Sequence, residues 1–160
     1  MLGWASVPYD PRWATRFPRR AAWMSLAGPA SNLLLVLMAA GLIRLGMALD
    51  WFVAPSTVGF SSVTRATAEG SPFLAQLLSI FFTLNLILFV FNLIPVPPLD
   101  GSGAVQLVMT QGLARRFQSL TNHPTLGWVG FLVAWYFFDE LFAPVHTLAI
   151  NLLYPGMSYG

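Results

Sequence analysis

Apolar residues dominate three stretches of this chain, and the polar residues between and within them divide it into elements. From 26 to 49 only Asn32 and Arg44 are strongly polar. About 24 residues rising 1.5 Å each make about 36 Å, enough to cross a hydrocarbon core of about 30 Å. This stretch is expected to be a transmembrane helix, with Arg44 near its far end, where a long side chain can reach the interface. A second span is expected over 73–94, its later half marked by Asn85 and Asn92. The third apolar stretch, 126–153, is interrupted by Asp139, Glu140, Pro144 and His146, and reads either as one kinked span or as two half-helices meeting at the acidic pair.

The intervening segments are of a different kind. Residues 50–72, with Asp50, Arg65, Glu69, Gly70 and Pro72, read as a loop outside the hydrocarbon. A helix is expected over 102–114, followed by Arg115, Arg116 and a polar turn that includes His123 and Pro124. Residues 1–20 carry prolines at 8, 11 and 18, which discourage a continuous helix. There Trp4, Tyr9, Trp13 and Phe17 alternate with Arg12, Arg16, Arg19 and Arg20, a composition suited to the headgroup boundary. The expected fold is all-α: a polytopic transmembrane helical protein forming a single membrane domain over 1–160, with a short irregular or β-like interfacial segment at its N-terminus.

Composition agrees with that class. The chain has 160 residues, 56% hydrophobic and only 9% charged, against roughly 25% charged in a soluble domain. Eight arginines and no lysines face six acids, too few cations for a nucleic-acid surface. The absence of cysteine excludes disulfides, thiolate ligands and a cysteine nucleophile. No cleavable signal peptide is expected, because residues 1–10 hold no apolar core. Arginines before the first span and after the second lie on one side, and the positive-inside bias places that side in the cytoplasm of a multi-pass protein, in the cell (inner) membrane.

The most informative stretch closes the second span: Asn92-Leu93-Ile94-Pro95-Val96-Pro97-Pro98-Leu99-Asp100-Gly101. Pro95, Pro97 and Pro98 stop the helix and leave backbone carbonyls without amide partners, which is tolerable only inside protein or beside water. A carboxylate at membrane depth persists where it pairs, faces a wet cavity or binds an ion, so Asp100 is a site candidate. Its alternative role is to cap the helix starting near Ser102. The amide of Asn92 can bond an extended substrate or a developing oxyanion, or it can satisfy the carbonyls freed by the prolines. Asn32 is expected to tie helix to helix, and Asp139-Glu140 to form a polar kink or helix end.

Two motifs then coincide. Ala27-Gly28-Pro29-Ala30-Ser31-Asn32 opens the first span with small residues that let helices approach closely, and N-L-I-P-V-P-P-L-D-G closes the second. Together they resemble the A-G-P-x-x-N and N-x-x-P-x-P-x-L-D-G elements of the site-2 protease family, the intramembrane zinc metalloproteases of peptidase family M50. The run from Gly3 to Pro11 (G-W-A-S-V-P-Y-D-P) is similar to that family's G-W-A-x-P-V-P-like segment. The resemblance covers about residues 3–105 and implies a zinc-dependent peptidase acting on membrane proteins or peptides. It implies Asp100 as a metal ligand, with Gly28, Pro29, Asn32, Pro95, Pro97, Pro98 and Gly101 as structural motif positions.

The chain departs from the family at one point. Residues 1–160 contain no H-E-x-x-H, whose two histidines would bind zinc and whose glutamate would act as base, and which in the family lies upstream of the motifs seen here. The resemblance therefore implies an incomplete chain with no catalytic residue of its own. His123 and His146 stand 23 positions apart and form no ligand pair, so they are expected to serve a turn and a packed helix. Two other classes remain: a non-catalytic membrane pseudoprotease that binds partners, and a small transporter subunit, which would need paired interrupted helices.

Overall fold

A computed structural model describes residues 13, 16–110, 112–114, 117 and 124–159. Helix α1 spans Pro18–Ala48, eight residues earlier than expected. Proline is tolerated at the first helical position, where its missing N–H has no partner in any case, so Pro18 starts the helix rather than preventing it. Pro29 lies inside α1 and is fully buried. The buried positions Ala22, Pro29, Val36 and Ile43 recur every seven residues, as do Ala39 and Gly46, giving one narrow stripe of mostly small side chains.

Two short antiparallel strands follow, β1 (Phe52–Val53) and β2 (Arg65–Ala66), with Phe52 opposite Ala66 and Val53 opposite Arg65. The expected 50–72 loop thus holds a small hairpin, too short to show an alternating pattern in sequence. Gly46 admits it: a Cβ there would meet the Phe52 ring. Helix α2, Pro72–Leu93, begins at Ser71, whose hydroxyl accepts from the Leu74 amide at 3.4 Å. Its buried positions include Ala75, Ser79, Phe82, Leu86 and Val90, and the helix packs against α1.

After the prolines comes a five-residue helix α3, Asp100–Ala104, continued by a 3-10 turn at Val105–Leu107. The regular helix expected over 102–114 thus starts earlier, at Asp100, and is broken after the 3-10 turn, with residues 112–114 helical again. Helix α4 is a single element, Pro124–Leu153, with Pro144 inside it. It does not divide at Asp139-Glu140, which are exposed. The paired interrupted helices of a transporter are absent from the described elements.

One apolar core joins α1, α2, the hairpin loop and the end of α4 through Val36, Ile43, Val63, Phe82, Leu86, Ile150 and Tyr154. Polar ties seal its outer end. Ser79 accepts from the Thr64 amide at 3.1 Å and donates to the Ala75 carbonyl at 2.7 Å, and Arg44 donates to the Leu153 carbonyl at 3.3 Å. Tyr154, 2% exposed, donates to the buried Val63 carbonyl at 2.8 Å. Tyr154→Phe is expected to leave that carbonyl unsatisfied and to destabilise the fold by about 1–3 kcal/mol, read as a lower unfolding temperature in detergent; an unchanged midpoint would mean the tie carries no stability.

Three helices, Pro18–Ala48, Pro72–Leu93 and Gly127–Leu153, are long and apolar enough to cross a membrane. Their exposed Leu, Phe and Trp side chains are then lipid-facing surface.

Candidate active site

The site is built where α2 stops. Ile94, just before Pro95, turns to extended backbone (φ −62°, ψ 126°), as a residue preceding proline must. The chain then tightens through short-range bonds, Val96 to the Ile94 carbonyl at 2.8 Å and Leu99 to the Val96 carbonyl at 3.0 Å. The Pro97–Pro98 peptide is cis. Ser102 donates to the Leu99 carbonyl from both its amide and its hydroxyl, at 3.0 and 2.7 Å. This turn folds α3 back onto the end of α2. Gly101 permits the return, because a Cβ there would strike the Leu93 and Ile94 carbonyls.

Asp100 is the first residue of α3, and its carboxylate reaches the A-G-P turn of α1. A Cβ on Gly28 would stand 2.6 Å from Asp100 Oδ2, so only glycine leaves room for the carboxylate. Three residues on, a Cβ at Gly103 would run into the Ser25 side chain, which places α3 flat along the same face of α1. Gly28 lies ten residues into α1, about 15 Å along the axis from the end that carries the arginines. Asp100 is half-buried, and burial raises its carboxyl above the usual range, with no opposing charge or hydrogen bond among the described residues. A cation held beside it would offset that burial.

Helix α4 closes the other flank. Gly130 rests against the Pro97 carbonyl and Val96, and Phe91 packs edge-on to Phe131 and Phe138 with ring centroids 5.9 and 5.5 Å apart. A small second core of Ile94, Leu99 and Ala134 lies beneath. Asn92 and Asn32 are half-buried, and neither amide has a hydrogen-bond partner among the described residues. The amide of Asn92 is thus not used on the carbonyls freed by the prolines within that set.

The remaining candidates stand apart. His146 lies in α4 beside Phe142, with ring centroids 5.3 Å apart, and lines a small cavity with Ser56, Thr57 and Tyr159 at the hairpin end, not at Asp100. His123 and the 3–12 segment fall outside the described residues. Among those described, no three His, Cys, Asp or Glu side chains gather as a metal centre would require. A catalytic zinc takes three protein ligands and a water, and these residues do not complete that set. What sequence reading missed was the partner role of Ser25 and Gly130; their only signal was small size opposite the proline break.

These features define a helical membrane protein whose second long helix ends in a proline-broken turn that presses a carboxylate onto the small-residue stretch ten residues into the first. The sequence pattern of Peptidase family M50 matches residues 8–137. The Bacillus subtilis (strain 168) protein named "Putative zinc metalloprotease YwhC" is 32% identical over 140 residues, 82% of this chain and 53% of that protein. This chain belongs to peptidase family M50, the site-2 protease family. It spans about half the length of the curated relative it matches. No solved structure matches it.

Proposed function

We propose that this chain carries one half of the active site of a membrane-embedded zinc metalloendopeptidase that hydrolyses peptide bonds in or beside the bilayer. The observation that supports the reading is the seating of Asp100 Oδ2 against Gly28, which joins two motifs more than seventy residues apart in the sequence. In this reading Asp100 supplies one zinc ligand. The other two ligands and the glutamate base come from an H-E-x-x-H helix that residues 1–160 do not contain. Asn92 holds an unwound stretch of substrate or the developing oxyanion. The substrate is a membrane protein or peptide whose helix must open before its carbonyls can be attacked, since a helix spends them on its own amides.

The three long helices cross the cell (inner) membrane, with the Arg16, Arg19 and Arg20 end in the cytoplasm. The bonds from Arg44 to Leu153 and from Tyr154 to Val63 fit that arrangement, because they bring the far ends of α1 and α4 to one side. In this reading the opened substrate pairs with the 3–12 segment, which lies outside the described residues. Ser6→Pro or Val7→Pro is expected to slow cleavage about tenfold by removing one edge amide, worth about 1.5 kcal/mol, while bound zinc is unchanged; full cleavage would set the edge aside.

A second reading, for a protein in which no H-E-x-x-H precedes residue 1, is a membrane pseudoprotease with a partner-binding role. Purification from the native host through a C-terminal tag retains whatever precedes residue 1. Intact mass, zinc content and cleavage of a fluorogenic transmembrane peptide then decide. Stoichiometric zinc with cleavage supports the peptidase; a 160-residue mass without either supports the pseudoprotease.

A further inference from the structure

At the end of α1 farthest from the hairpin, Arg16, Arg19 and Arg20 form one wall of a cavity of about 400 Å³, and Gln106, Met109 and Thr110 form the opposite wall. Two of the three guanidiniums rest on an aromatic ring. Arg16 and Arg20 both lie over the Phe17 ring, 5.5 and 5.1 Å from its centroid, and Phe17 packs against Trp13 at 6.1 Å. Nothing among the described residues neutralises them: the first turn of α1 holds no acid, and no carboxylate lines the cavity. All three arginines are exposed and border one hollow, where a bound anion would offset their like charge. The guanidinium fork suits phosphate oxygens in particular.

Depth identifies the source of that phosphate. With 31 residues, α1 is about 46 Å long, well beyond a core of about 30 Å, so its arginine end emerges at the headgroup layer. Trp13 and the exposed Trp23 fit the aromatic belt at that level. Basic pockets between transmembrane helices are where anionic headgroups bind.

We infer that this cavity binds the phosphodiester of an anionic phospholipid headgroup. The site lies outside the peptidase machinery but touches its support. Gln106 belongs to the 3-10 turn that continues α3, so a bound headgroup bridges the first turn of α1 and the segment leaving Asp100.

The test uses the full chain in phosphatidylcholine nanodiscs doped with phosphatidylglycerol, with retained lipid counted by native mass spectrometry. Arg16→Gln with Arg20→Gln is expected to weaken phosphatidylglycerol retention roughly thirtyfold. Thr110→Phe, which fills the cavity without altering charge, is expected to weaken it too. Arg65→Gln, equally exposed near the other end of α1, leaves it unchanged. Parent-like retention in the double variant, or equal loss in Arg65→Gln, would overturn the inference. Full retention in Thr110→Phe would reduce the effect to surface charge and overturn it as well. Displacement of the lipid by free inorganic phosphate would reassign the cavity to a soluble phosphate.

Discussion

Asp100→Asn, made in the protein purified from its own host, is expected to lose bound zinc and to lower cleavage of a transmembrane peptide by at least about a hundredfold. The substitution keeps size and shape, so the proline break and the contact with Gly28 remain. What changes is the anion. An amide oxygen is a far weaker ligand for zinc than a carboxylate, and two remaining protein ligands fall short of the three a catalytic site requires. Burial also disfavours a bare carboxylate at this position. Replacing it by a neutral amide should therefore hold or raise the unfolding temperature of the metal-free protein. Loss of zinc together with retained stability separates a ligand from a structural residue. Equal zinc in both proteins would remove Asp100 from the ligand set.

The long apolar helices were readable because length and apolarity alone decide whether a segment can span a bilayer. The same physics left their ends ambiguous. Pro18 could begin a helix or forbid one, depending on whether its missing amide falls in the first turn, and hydropathy is indifferent to that distinction. Pro144 poses the reverse case: α4 continues through it, although the local pattern allowed a break. At the site, Asp100 drew attention through chemistry and Gly28 through its motif. That they touch could not be read from either, since closeness across more than seventy residues is set by helix packing. The arginine cavity was half visible. Its cations were apparent as a cluster, but the opposite wall comes from a segment expected to be regular helix that instead bends after a 3-10 turn.

Gly28→Ala and Gly101→Ala are expected to fail in opposite ways. At Gly28 the new methyl group would stand 2.6 Å from Asp100 Oδ2, the tip of a side chain that can rotate away. The backbone is left alone, and alanine in place of glycine within α1 favours the helix by up to about 1 kcal/mol. Stability should hold or rise while cleavage falls about a hundredfold, the penalty of a reacting group displaced by about 1 Å. At Gly101 the methyl group would meet the carbonyls of Leu93 and Ile94, which are backbone and cannot swing aside. The turn must open, at a cost of about 1–3 kcal/mol, and the unfolding temperature should drop along with activity. Thermal unfolding and peptide cleavage measured on both variants distinguish the two cases. A fully active Gly28→Ala protein would show that the approach of Asp100 to α1 is incidental, and the support for a shared site would be lost.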